Sequence, residues 1–273
     1  MTEPTAPDER ALFILDGDRF IPTVHTRGPW DARAQHGGPP AALLARAVEA
    51  VDSPVPVRVV RLAVDLVRPV PLTPLEVMTR LVRPGRRVQL VEASLLAGGV
   101  EVARAAALRL RDEPLDLEEA PRPEPLPHPR PDKSRALRRR PLPSGITAAF
   151  PLTGAELRFA RGEMDEMGDA VVWIRLRVPL VAGEDPSPLS RVAAAADFGN
   201  GVSAVLDWTR RLFINPDLGI WLHRHPEGEW VCLEATTYLD PAHGAGMAES
   251  ALWDERGRIG RSVQSLLLEA HRA

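Results

Sequence analysis

The sequence predicts an α+β protein in which one unit, an antiparallel sheet wrapped around a single helix, occurs twice in tandem. Three observations carry that expectation. Two Ala-rich runs with helical character, Ala41 to Ala50 and Leu189 to Ala196, each follow turn or cap residues. Each run is followed by four strand-like segments separated by turn residues. A proline-rich tract divides the two sets, so the same order of elements occurs on either side of it.

In the first half, Phe13 to Val24 reads as a hairpin, because Asp16-Gly17-Asp18 is turn chemistry between two apolar runs. A loop holding Arg27, Gly28 and Trp30 leads to Gln35-His36-Gly37-Gly38-Pro39-Pro40. Two glycines and two prolines there form a tight turn that feeds a helix start, where backbone N–H groups lack intrahelical partners. Such an end attracts a carbonyl oxygen or an anion. Pro56–Val67, Leu75–Val82, Val88–Leu96 and Val100–Leu110 follow as strands, broken by Arg68-Pro69, Arg83-Pro84-Gly85 and Gly98-Gly99, and are expected to form a four-strand meander.

From Asp112 to Pro143 the texture changes to alternating proline and a basic run, Arg135 to Arg140. Prolines supply no donors to a sheet ladder and favour an extended polyproline II chain, so this tract reads as a surface linker with solvated charges. The expected division is 1–112, a linker over 113–145, and 146–273. In the second half Ala170–Val178 is a strand, and Ser187-Pro188 supplies an N-cap serine and an N1 proline to the helix. Arg211–His223, Glu229–Leu239, Gly246–Trp253 and Ile259–Leu268 complete the repeat.

With 273 residues, 44% of them hydrophobic, the chain holds a substantial core. A net charge of -3 gives no global pull toward nucleic acid or an anionic membrane, leaving small molecules or protein as partners. A single cysteine, Cys232, excludes an intrachain disulfide and a multi-cysteine metal site. The acidic start lacks a basic, apolar leader, and no run of about 18 apolar residues spans a bilayer, so a cytoplasmic location is expected by default.

Three polar residues stand out on chemical grounds. Asp197 ends the second helix, where the negative end of the dipole and apolar neighbours both favour its taking up a proton, as a general base must. Its alternative role is to hydrogen-bond its own turn. Gln264 falls on the same strand face as Leu266 and Leu268, which demands partners or a pocket, unless it lies at a wet sheet edge. Asn215 precedes Pro216 at a strand start and reads equally as a turn former. His36 is a candidate substrate contact, with a structural role as the alternative. Gly37 and Gly38 are candidate backbone donors, or simple turn geometry. His223 and His225 lack a third metal ligand nearby, no G-x-S-x-G nucleophile elbow is present, and Cys232 reads as packing.

A sheet around one long helix, duplicated in tandem, is the double hotdog. HGGPPAALLARA at His36–Ala47, VDLVRP at Val64–Pro69, AAADFGNG at Ala194–Gly201, IWLHR at Ile220–Arg224 and SVQSLLLE at Ser262–Glu269 together resemble the acyl-CoA thioesterase II-like, tandem hotdog family. The resemblance runs from about Asp16 to Glu269. It implies that an aspartate, a threonine and a glutamine of the second unit activate the water that attacks a thioester. Asp197 and Gln264 stand at matching places, and Asn215 stands where the threonine would be. An asparagine amide both donates and accepts, as a hydroxyl does.

What the resemblance implies, then, is hydrolysis of an acyl-CoA or other acyl thioester without metal or cofactor. Asp197 takes a proton from a water held by Asn215 and Gln264, helix-start N–H groups polarise the thioester oxygen, and an apolar tunnel between helix and sheet takes the acyl chain. Arg83, Arg86 and Arg87 are candidates to meet coenzyme A phosphates. The alternative is a non-catalytic acyl-thioester binding protein, motivated by Asn215. A hotdog hydratase would need an Asp/His dyad in its own motif, which the sequence does not offer. The two halves are expected to pair within the chain, with room for a further homo-oligomer.

Overall fold

The computed structural model describes residues 10–29, 31–117, 124–137, 147–207 and 210–270. Its first half contains β1 (Phe13–Asp16), β2 (Arg19–Pro22), α1 (Gly38–Glu49), β3 (Val57–Asp65), β4 (Leu75–Arg83), β5 (Val88–Ala97) and β6 (Val100–Arg111). β7 (Arg135–Ala136) lies in the proline-rich tract. The second half contains β8 (Ala155–Arg161), β9 (Ala170–Leu176), α2 (Pro188–Ala196), α3 (Gly199–Val202), β10 (Arg211–Ile214), β11 (Asp217–Leu222), β12 (Val231–Asp240), β13 (Ala245–Asp254) and β14 (Gly257–Ala270).

Among the described residues the strands form one antiparallel sheet in the order β1-β2-β4-β5-β6-β3-β11-β14-β13-β12-β9-β8-β7, with β10 also on β14. The order reads the same from either side of the β3–β11 seam, where Ala63 stands opposite Gly219. β6 answers to β14, β5 to β13, β4 to β12, and the hairpin β1–β2 to β8–β9. This is the expected double hotdog, made continuous by the seam.

Four local expectations are corrected. The four strands after each helix are not a simple meander: β3 pairs with β6 and β11 rather than with β4, because it must return to the centre to build the seam. The strand β8 was not anticipated; its inner face is apolar, but Arg158 and Arg161 interrupt the alternation. The first helix begins at Gly38, three residues before the expected start, since Pro39 and Pro40 occupy first-turn positions where a missing N–H costs nothing. The segment 211–223 also divides at Asn215-Pro216 into β10 and β11, both paired with β14.

Packing follows from side-chain size. α1 and α2 lie against each other inside the sheet, and their contact faces are largely alanine, which lets two backbones approach closely. They run antiparallel: a Cβ on Gly38 would lie 2.6 Å from the Ala194 carbonyl oxygen, Ser190 Oγ donates to the Ala42 carbonyl, and Ser187 Oγ lies 2.5 Å from Glu49 Oε2. Ser187 caps α2 as expected, accepting from the Ser190 N–H at 3.0 Å. Strand β5 shows the alternation of a sheet with one face inside, burying Gln89, Val91, Ala93 and Leu95.

Of the proline-rich tract, residues 118–123 and 138–146 lie outside the described residues. Residues 124–137 lie on the outer face of the second half's sheet, where Trp173 Nε1 donates to the Pro129 carbonyl at 2.8 Å and Leu126 packs on a small core of Val171, Trp173, Cys232 and Trp253. Burial there pushes the Cys232 thiol well up. No helix among the described residues is long and apolar enough to cross a membrane.

Candidate active site

Antiparallel packing brings the start of α1 to the end of α2. Gly37 is the N-cap of α1 and Asp197 the C-cap of α2, and a Cβ on Gly37 would lie 2.7 Å from Asp197 Oδ2 and 2.9 Å from Oδ1. Only a glycine lets the carboxylate occupy this place. Asp197 therefore sits at the negative end of one helix and against the positive end of the other.

The carboxylate is enclosed by N–H groups. Asn215 Nδ2 donates to Oδ1 at 2.8 Å and Gln264 Nε2 to the same oxygen at 3.2 Å. His36 Nδ1 lies 2.9 Å from Oδ2. Gln264, buried on the inner face of β14, also donates to the Asp197 carbonyl, and its Oε1 accepts from the Asn200 N–H at 2.9 Å. Asn215 Nδ2 donates in addition to the Asp217 carbonyl. Each amide nitrogen faces acceptors only, which fixes the orientation of both side chains.

Both amide nitrogens direct their protons at Asp197 and at neighbouring carbonyls, so Asn215 and Gln264 grip the carboxylate itself. Asn215 Oδ1 remains as an acceptor on a half-buried side chain.

His36 is the part of the constellation that sequence reasoning did not connect. Its backbone N–H donates to the Thr26 carbonyl, and its ring lies against Phe150 and Phe198 at centroid distances of 5.1 and 4.7 Å. Nδ1 has two polar neighbours, Asp197 Oδ2 and, at 3.1 Å, the amide nitrogen of Gly38. An Asp/His pair is thus present, assembled across the two halves. Asn200 was also missed: its Nδ2 donates to the Phe213 carbonyl at 2.9 Å, while its Oδ1 is buried with no protein partner. Its place after the helix, in Phe198-Gly199-Asn200-Gly201, was the available signal.

Other predicted elements lie elsewhere. Arg83, Arg86 and Arg87 belong to the β4–β5 turn, which Gln89 ties to Ser53 just beyond the end of α1. That is the far end of a 12-residue helix, so they stand roughly 18 Å along its axis from Gly37. A cavity of about 230 Å³ between α1 and β4 is lined by Phe20, Leu43, Arg46, Ala47, Val77 and Thr79.

A family model described as the acyl-CoA thioesterase N-terminal domain matches residues 26–110, and one described as the acyl-CoA thioesterase C-terminal domain matches residues 116–268. No curated protein sequence matches significantly. Among solved structures, a protein assigned as a thioesterase II from Thermobifida fusca YX superposes with a TM-score of 0.71 at 19% identity, covering 98% of this chain and 99% of that one. A hot dog fold protein from Alicyclobacillus acidocaldarius gives 0.70 at 18% identity over 97% and 98%. An acyl-CoA thioesterase II from Mycobacterium marinum gives 0.63 at 14% identity over 94% of each chain. At these identities the likeness to solved structures bears on the fold alone.

Proposed function

The chain belongs to the acyl-CoA thioesterase family and is a thioester hydrolase, and we propose from that premise that it hydrolyses an acyl-CoA using a water activated at Asp197. The observation that carries the reading is the enclosure of that carboxylate. Asp197 is buried, the amides of Asn215 and Gln264 donate to it, His36 Nδ1 lies 2.9 Å from it, and the first turn of a helix lies directly against it. Held this way, the carboxylate has a fixed geometry at the helix start, which suits a centre that activates water.

The start of α1 supports the placement of the thioester oxygen. Pro39 and Pro40 have no N–H, so the donors of the first turn come down to Gly37 and Gly38. Asn215, standing for the family's threonine, keeps an acceptor oxygen beside the carboxylate. It therefore retains a contact for water while its nitrogen holds Asp197.

Release of thiol from acyl-CoAs of graded chain length tests the reading. Asp197→Asn, which preserves size and most hydrogen bonds, is expected to lower kcat by about 10²- to 10⁴-fold. Full activity in that variant would remove Asp197 from the reaction. Tight binding of acyl-CoA without turnover by the unaltered chain would return the non-catalytic reading.

A further inference from the structure

We propose that His36 is a catalytic residue: its Nε2 takes the proton from the attacking water, while Asp197 holds the ring through Nδ1. This rests on the reading that water is activated at the Asp197 centre, and it identifies the atom that meets the water.

Asp197 is poorly placed to do so itself. Its Oδ1 accepts two amide N–H groups and its Oδ2 lies 2.9 Å from His36 Nδ1. The Gly37 backbone lies so close to both oxygens that a methyl group would not fit. Its side chain is 5% exposed against 11% for His36. Both carboxylate oxygens are thus already taken by protein neighbours. An imidazole held by a carboxylate at one nitrogen presents the other, a nitrogen whose basicity suits neutral pH.

The tautomer follows from the two neighbours of Nδ1. An unprotonated Nδ1 would accept from the Gly38 N–H at 3.1 Å but would set its lone pair against the carboxylate; a protonated one donates to Asp197 at 2.9 Å. The contact with the charged group is shorter and stronger, so the proton resides on Nδ1. Nε2 is then left as the acceptor. The ring cannot swing away, because Phe150 and Phe198 pack against it and its backbone N–H is bonded to Thr26.

The step balances within the site. Nε2 takes one proton of the water as the water oxygen bonds to the carbonyl carbon, and the carbonyl π pair moves to oxygen. Collapse of that oxyanion breaks the carbon–sulfur bond with its electron pair on sulfur, and the Nε2 proton passes to the sulfur. The products are the thiol and a carboxylic acid, which loses its proton to solvent, and His36 returns to the Nδ1–H form.

The test is steady-state hydrolysis of an acyl-CoA by the full chain and by His36→Asn and His36→Gln, with circular dichroism on each. The Asn amide reaches the Nδ1 position and keeps a donor on Asp197, but neither variant has a basic nitrogen. Both are expected to lose about 10²-fold or more in kcat with KM changed less than threefold. A folded His36→Asn protein within threefold of the unaltered kcat overturns the proposal, whereas full activity in Asp197→Asn overturns the functional reading beneath it. Nitrogen-15 NMR of the unaltered chain needs no variant: a protonated Nδ1 and bare Nε2 at His36 are expected, and the reverse tautomer overturns the proposal.

Discussion

Replacing Gly37 by alanine separates a spatial requirement from a conformational one. Gly37 has φ -66° and ψ -23°, a backbone that any residue adopts, so no strain follows from the substitution. The added methyl would lie 2.7 and 2.9 Å from the two oxygens of Asp197 and 3.0 Å from its carboxyl carbon. Ordinary contact needs about half an ångström or more beyond that, and the carboxylate must give way. A shift of that size loosens the 2.8 Å bond from Asn215, the 3.2 Å bond from Gln264 and the 2.9 Å contact with His36 together. Overpacking costs about 1–3 kcal/mol, and at an N-cap alanine returns no helix propensity, so net destabilisation is about 1–3 kcal/mol. Misplacement of a reacting constellation by a fraction of an ångström to one ångström is expected to lower kcat by about 10²-fold. Urea unfolding and thiol-release kinetics read the two effects separately. Gly201→Ala is the control, since nothing lies within 4 Å of a Cβ there, and it is expected to be nearly silent. A Gly37→Ala protein with unaltered kcat would refute the claim that this glycine seats Asp197.

Two further outcomes concern stability away from the site. Arg109, buried beneath the far end of α1, donates to the carbonyls of Val48 and Val51 and to Gln89 Oε1; Arg109→Met is expected to cost about 2–3 kcal/mol in urea unfolding while leaving KM unchanged. Burial opposes ionisation of Asp254, but hydrogen bonds from Arg224 and from the N–H groups of Glu227 and Arg256 outweigh it and hold the carboxyl below the usual carboxylate range. A depressed carboxylate contributes stability that is complete above about pH 4 and lost as pH falls through its folded-state value. Asp254→Asn should therefore be less stable at pH 7 and show a flatter decline between pH 4 and pH 2 in thermal melts.

The fold was legible where alternation and caps were strong. The hairpin β1–β2, the Ser187 cap and strands β4 to β6 fall within a few residues of expectation, because turn chemistry and period-two burial are local signals. The return of β3 to the seam was not legible, since pairing partners are chosen by the whole sheet. Arg161 hid the end of β8 by the same limitation: its ion pair with Glu234 forms across the folded sheet. At the site, Asp197 and Gln264 announced themselves as polar residues among apolar ones. His36 could be named but not joined to Asp197, because the contact depends on two helices crossing antiparallel. The grip of Asn215 and Gln264 on the carboxylate was unreadable for a similar reason, as it depends on pairing across separate elements of the second half.

At the opposite end of the helix pair the serine start of α2 meets the glutamate that ends α1, and Ser187 Oγ on Glu49 fills the space that Gly37 leaves for Asp197. Two identical subunits could not differ in this way, because every copy would need both a bare helix start and an acidic finish. Covalent fusion releases each helix from half of that obligation. One crossing is free to seat the Asp197 carboxylate and the other to fasten the two lobes as a clasp.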